Sequence, residues 1–417
     1  MTSLRALLCL SLVLSACASR DAATPLTIAE AISPAGPGAA EPNLYTAPDG
    51  RVVMSWFEPA DSGAHALRLA VLGIDGTWSA PVDVVRRGDL FVNWADFPSV
   101  VVLSDGRFVA HWLQRNGSGK YAYEVRMAES SNQGATWSAS VTPHRAGVPA
   151  EHGFATILPD SAGGAEVFFL DGGANVLANA AAKVTAGSEE AGHEHAAPMS
   201  VSTNAWGSAM TETTKIVLDD RVCDCCQTAA AMTARGPVVI FRDRSATEIR
   251  DISIVRRVNG AWTQSVPVHS DNWELNACPV NGPAIVASGD EVAVAWFTGA
   301  RDTAKVQIAF SHDGGASFGA PVRIDDGNPA GRVGLQWVNG DAYVSWLERG
   351  TADSAFVKVR PVSRAGVAGE AVVVTASSGA RSSGFPRMTR LSDGLLFAYT
   401  LPGRESVVKL TTLRPAP

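Results

Sequence analysis

An all-β chain closed into a ring of four-stranded blades, a β-propeller, is the fold this sequence predicts. Three observations predict it. A unit recurs along the chain at a spacing that suits one blade, each copy holds a strand apolar on both faces, and nothing reads as a long amphipathic helix. The clearest copy is Glu291 to Ile324, EVAVAWFTGARDTAKVQIAFSHDGGASFGAPVRI. In it Val292, Val294 and Trp296 share one face of an extended segment while Ala293, Ala295 and Phe297 share the other, which is the pattern of a strand buried on both sides. A polar loop, TGARDTAK, turns the chain into a return strand with Val306, Ile308 and Phe310 on one side.

The tight turn before each such strand serves as a ruler. It occurs at Asp49-Gly50, Asp105-Gly106, Gly163-Gly164, Arg235-Gly236, Gly289-Asp290, Asn339-Gly340 and Asp393-Gly394, with steps of 56, 58, 72, 54, 50 and 54 residues. Seven units predict seven blades, with six as the alternative. The last unit ends one strand short, and Pro25 to Ile32 precedes the first, so this N-terminal strand is expected to close the ring and remove two exposed sheet edges. The long step of 72 predicts an insertion at about 180–208, read as a surface loop or lid containing Glu189, Glu190, His193, Glu194 and His195.

The first residues have a different character. Arg5 is followed by an apolar run from Ala6 to Val13, too short to span a bilayer and of secretory-signal form, then by Leu14-Ser15-Ala16-Cys17. The latter resembles a bacterial lipobox. It implies a signal peptide at 1–16, a lipidated Cys17 opening a short linker at 17–25, and a single propeller over 26–417. By the same resemblance Ala18 points to the outer membrane, facing the periplasm or the cell surface, with the lipid anchor as the only membrane contact. A net charge of −7 on 417 residues, without a basic block, argues against a nucleic-acid partner.

Ser311 to Phe318 closes the best unit with nameable turn chemistry: a short Asp to accept turn amides, Gly for positive φ, and an aromatic to pack the turn on the sheet. Ser311, Asp313, Gly315 and Phe318 are similar to the Asp-box of sialidase-like (BNR-repeat) propellers, and Ser130, Asn132, Gly134 and Trp137 form a second copy. Remnants stand at Gly73 to Trp78 and Val258 to Trp262. These turns are structural, and in a blade they lie opposite the face that carries function.

On the functional face the densest stretch is Phe241 to Asp251, FRDRSATEIRD, with three arginines and three acids in eleven residues. Arginine forks suit a bidentate grip on a carboxylate. The candidate ligand-binding residues are Arg242, Arg244, Arg250, Arg301 and Arg332, and the candidate catalytic acids are Asp243 and Glu248. A salt-bridge network that only locks the hairpin is the competing reading. Asp96, Glu151 and His152 fall on the same face.

The second constellation is Cys223, Cys225 and Cys226 with Cys278, at similar places in adjacent units. With Cys9 in the signal and Cys17 lipidated, four cysteines remain in an oxidising compartment, where disulfides are the default. Neighbouring Cys225 and Cys226 are disfavoured as a pair, leaving Cys278 bonded to one of them and Cys223 to the other. Zinc or copper(I), held by the thiolates alone or with His152, His193, His195 and Met199, is the alternative; no other cofactor is expected.

The motifs CxCCQT at Cys223 to Thr228, RDRSxxEIRDI at Arg242 to Ile252 and CPVNGP at Cys278 to Pro283 resemble a group of secreted bacterial propellers labelled exo-α-sialidase. The resemblance implies a glycoside hydrolase with an arginine triad for the substrate carboxylate, which Arg242, Arg244, Arg250, Arg301, Arg332 and Arg387 could supply without a motif fixing which, a Tyr/Glu nucleophile and an Asp acid/base, and a glycan or other acidic ligand as partner. The early F/Y-R-I-P motif of that family is absent, and Tyr399 is the last tyrosine of the chain. A non-catalytic propeller that binds glycan or protein, and a periplasmic metal-binding propeller, are the alternatives from other classes.

Overall fold

The computed structural model describes residues 26–177, 199–207, 210 and 212–415. Seven antiparallel sheets follow one another along the chain as blades. The innermost strands, in blade order, are Ala40–Thr46, Ser99–Val102, His152–Pro159, Ala229–Thr233, Ala284–Ser288, Pro329–Val338 and Arg387–Leu391. The ring closes as expected: Leu26–Ala31 is the outermost strand of blade 7, paired in register with Val407–Pro415 from Leu26 opposite Pro415 to Ala31 opposite Leu410.

Period-two alternation explains the packing. Val292, Val294 and Trp296 pack toward blade 4 with Val238 and Ile240, while Ala293, Ala295 and Phe297 pack toward blade 6 with Val344 and Trp346. Each interface between neighbouring blades has its own apolar cluster of this kind, so every second strand is buried on both sides by its neighbours. In blade 2 the outer strand shrinks to a single bridge between Met127 and Val141, because Pro143 has no amide with which to extend the ladder.

The stretch expected as an insertion divides in two. Met199–Trp206 is the third strand of blade 3, laddered to Ala165–Asp171 and Ile216–Val222, which corrects the expected boundary at 208. Its buried Ser202, Thr203 and Asn204 gave it a loop-like composition. Residues 178–198, with the His-Glu-His segment, lie outside the described residues, as do residues 1–25, on which the expected signal peptide, lipidated Cys17 and linker fall. Among the described residues no helix is long and apolar enough to cross a membrane.

The two sequence-matched turns share one bonding scheme. Ser311 Oγ accepts the Gly315 amide at 2.9 Å, and Asp313 Oδ1 accepts those of Ala316 and Ser317 at 2.9 Å. In the sister turn Ser130 Oγ accepts the Gly134 amide and Asn132 Oδ1 the Thr136 amide, both at 2.9 Å. Both join the third strand of a blade to its outer edge, at the end remote from the loops that enter the innermost strands.

Candidate active site at the channel mouth

The innermost strands surround a central cavity of about 290 Å³. Their entries are strained. Glu41, Phe154, Val280 and Arg332 hold φ of 53°, 50°, 48° and 55° at or just before the innermost strands of blades 1, 3, 5 and 6. Non-glycine residues adopt this region at a cost, and such cost tends to collect where a site is held in shape.

Asp96 enters the cavity from the loop ahead of blade 2. It is buried and accepts the Phe154 amide at 2.6 Å. Burial pushes its carboxyl up to about 7; the amide bond opposes this, and nearby Glu151 adds to it. Glu151 is itself pushed up to about 7 by burial, against a hydrogen bond from Tyr123 Oη at 2.8 Å. Gly153 makes the approach possible, since a Cβ there would run into Asp96 Oδ2 and come within 3.3 Å of the Tyr123 ring. Two neighbouring carboxyls thus titrate near neutrality, and Asp96 faces the cavity.

Arg387, at the start of the blade 7 inner strand, also lines the cavity. Its Nε donates to Asn43 Oδ1 at 2.9 Å, and its guanidinium lies 4.2 Å from the centre of the Phe97 ring. Burial lowers its pKa to about 10. No described carboxylate pairs with it, whereas most described arginines have such a partner. Trp94, Phe97 and Phe385 form an aromatic rim, with Trp94 and Phe385 stacked at 5.7 Å and Phe97 tilted against Phe385 at 6.1 Å. Beside the rim, Glu41 is pushed up to about 8 by burial, with Arg332 opposing, and its Oε2 has no hydrogen-bond partner.

The sequence-selected arginines do not form one cluster. Arg242 is wholly buried and donates to the carbonyls of Asn281, Arg250 and Phe297 at 2.8, 2.5 and 2.7 Å while lying over Trp273. Arg332 donates to Ser383 Oγ and to the carbonyls of Gly384 and Ala380. Arg301 sits exposed in a turn. Arg244 and Arg250 converge on Glu248, at 3.1 and 2.7 Å, with Arg221 at 3.9 Å. Asp243 is pushed up to about 6 by burial, against the Arg244 amide at 2.7 Å. The hairpin is a network around Glu248, and Arg244 Nη1 and Arg250 Nη1 remain buried without partners.

The motifs nonetheless meet. Gln227 donates to the Ala95 carbonyl at 2.6 Å and accepts the Gly282 amide at 2.9 Å; Asn281 accepts the Arg332 amide at 2.8 Å through Oδ1 and Arg242 Nε through its carbonyl. CxCCQT, CPVNGP and the arginine hairpin are therefore one brace around the channel mouth. Two disulfides, Cys223–Cys226 and Cys225–Cys278, pin it. The second is one of the two partnerships expected for Cys278.

His152 does not join the sulfurs. Its Nδ1 is 3.1 Å from the Tyr123 carbonyl and its Nε2 is 3.3 Å from Asp171, which Lys215 also binds at 2.5 Å. Met199 is buried in the core between blades 3 and 4. Tyr399 bonds Thr411 at 3.0 Å inside the sheet. The tyrosine that does meet a glutamate is Tyr123, but it is fully buried and stacked on Phe91 at 4.0 Å. Sequence reasoning named Arg387 only as one of six arginines that could supply a triad and left it out of the selected binding set; Phe385-Pro386-Arg387 at a strand start was the available signal.

No protein-family model matches the chain, and no curated protein does. Solved structures are similar in fold. A Dyadobacter fermentans protein of unknown function shares 13% identity over 91% of this chain and 95% of its own, with a TM-score of 0.48. The endosialidase of phage phi92 shares 11% over 94% of this chain and 70% of its own, at 0.49. An α-L-arabinofuranosidase of Fusarium graminearum shares 12% over 90% and 93%, at 0.46. Likeness at this level concerns the course of the chain; the chemistry rests on this chain's own residues.

Proposed function

We propose that this chain is a glycan-directed propeller that binds an acidic sugar at its channel mouth. The observation that carries the reading is Arg387, a cation in the cavity wall whose charge no described carboxylate balances. Arg387 is half-buried, so its charge is partly desolvated without a counter-charge, and the carboxylate of a ligand would complete it in the bidentate geometry that a guanidinium favours. The aromatic rim offers apolar faces for the sugar ring, in a cavity that joins such surface to a few convergent polar groups. Asp96, titrating near 7, is placed to give or take a proton at a bound glycosidic oxygen, and Glu151 beside it keeps its affinity for that proton high. The arginine hairpin serves this site as a brace rather than as its grip. The exported, Cys17-anchored state belongs to the same reading, since glycans of this kind are met outside the cytoplasm.

The test is calorimetric binding of uronate- and sialate-bearing oligosaccharides against neutral counterparts, followed by hydrolysis assays on whatever binds. Binding of the acidic set alone, weakened about ten-fold or more in Arg387→Met, supports the grip. Turnover lost in Asp96→Asn with binding kept makes the protein a hydrolase; binding without turnover makes it a lectin. Equal affinity for neutral sugars, or an Arg387→Met variant that binds as the wild type does, refutes the reading.

A further inference from the structure

The four cysteines do more than pin loops. Cys223, Cys225 and Cys226 bring their sulfurs within 4.8 Å of one another, and Cys223 Sγ stands 3.7 Å from Cys225 Sγ although the two are not bonded. A metal about 2.3 Å from each of three coplanar thiolates spaces them about 4 Å apart, so little movement separates this cluster from a three-thiolate site. Cys223 and Cys226 are buried while Cys278 is exposed, so a reductant meets the Cys225–Cys278 bond first.

We propose that, once reduced, Cys223, Cys225 and Cys226 form a binding site for a soft monovalent cation, copper(I). Two equivalents of a dithiol or phosphine reductant supply two electrons each. The first opens Cys225–Cys278 to two thiols. The freed Cys225 thiolate then attacks Cys223 across the short gap, forming a Cys223–Cys225 bond and expelling Cys226 as thiolate, and the second equivalent opens that bond. Copper(I) displaces the three thiol protons as it binds. Soft thiolates select this ion, and three ligands suffice for it, whereas a structural zinc site takes four. The cysteine segment is bonded to the arginine hairpin, Cys223 N donating to the Arg242 carbonyl and Arg244 N to that of Arg221, and there Arg221, Arg244 and Arg250 share the single carboxylate Glu248. Cys278 is not among the three mutually close sulfurs; it groups instead with Asp224 and Cys225. The inference stands independently of the channel reading.

The experiment titrates purified protein, reduced by a phosphine without oxygen, against copper(I) held by a colorimetric chelator. Wild type is expected to withdraw one equivalent, and the oxidised protein none. Cys223→Ser, Cys225→Ser and Cys226→Ser each forfeit the tight equivalent, while Cys278→Ser keeps it. The double variant Cys225→Ser/Cys278→Ser, reduced in the same way, keeps Cys223 and Cys226, so its expected loss of copper at a thermal melt equal to that of reduced Cys278→Ser reads the missing Cys225 rather than misfolding. Copper left on the chelator by reduced wild type overturns the proposal. So does a Cys278→Ser variant as impaired as Cys225→Ser, or zinc uptake that needs all four cysteines equally.

Discussion

Arg242 and Arg387 are both taken inside the propeller, yet their partners differ. Arg242 spends its donors on three backbone carbonyls from the entries and strand ends of blades 4 and 5, and an aromatic ring covers its face. Arg387 spends one donor on Asn43 and turns the rest of its guanidinium toward a cavity. Burial lowers the pKa of both, to about 9 and about 10, with Arg242 fully buried and Arg387 half-buried, so a lowered pKa alone does not separate a structural arginine from a binding one. Satisfaction does. A cation whose hydrogen bonds are complete holds the fold, and one left incomplete at a cavity wall is free to hold something else.

Arg242→Met should therefore have the largest effect on stability. It strands three buried carbonyls at once, and a loss of about 3–5 kcal/mol in urea unfolding is expected. A loss under about 1 kcal/mol would break the contrast.

The carboxyls of the mouth sharpen it through pH. Glu41, pushed up to about 8, binds a proton in the folded state that its unfolded form releases near 4.5. Its stabilising protonation is complete below about 4.5 and is lost as pH rises through 8, so folding stability should fall over that range by an amount on the order of 3 kcal/mol. Asp96 and Glu151 act in the same direction up to about 7. Buried His111 and His144, carried down to about 4 and about 3 by burial, act on the other side, withdrawing stability as pH falls below 6.5. Thermal melts from pH 4 to pH 9 should show the alkaline decline, and Glu41→Gln should flatten it. An unchanged slope in the variant would place the titration elsewhere. Arg387→Met comes next: its expected change is about ten-fold in ligand affinity, about 1.4 kcal/mol, with urea stability altered by less than about 1 kcal/mol. A large stability loss there would make Arg387 a second Arg242.

Most of the fold was legible because it is written in period two. The alternation of Val292 to Phe297 states that both faces are covered, the ruler turns count the blades, and the apolar residues of Leu26–Ala31 supply the missing strand. Met199–Trp206 was hidden because its buried positions are filled by Ser, Thr and Asn, whose partners lie elsewhere in the chain. The site was less legible for a related reason. Composition shows where arginines crowd, as at Arg242 to Arg250, but not whether their donors are already spent on carbonyls such as those of Asn281 and Phe297. Arg387 has no acidic residue near it in sequence to mark a network, and only the ring closure brings blade 7 beside Asn43 and Phe97.

The smallest effect belongs to the opposite face. Asp313 accepts Ser311 Oγ and Ser317 Oγ at 2.7 and 2.6 Å besides two amides. Partial burial works against its charge, but these bonds hold the carboxyl well below the usual range. Asp313→Ala should cost about 1 kcal/mol and leave ligand affinity unchanged. Asp313→Asn should cost less, because the sister turn already runs on Asn132 with the same amide contact. The sign of the pH dependence separates the two contributions. A depressed carboxyl stabilises above its unfolded pKa of about 4 and ceases to as pH falls below it, so the Asp313→Asn deficit should shrink from pH 6 toward pH 2. A change of ligand affinity in either variant would mean that the turns and the mouth are coupled through the blades, and the division between a bracing face and a binding face would fail.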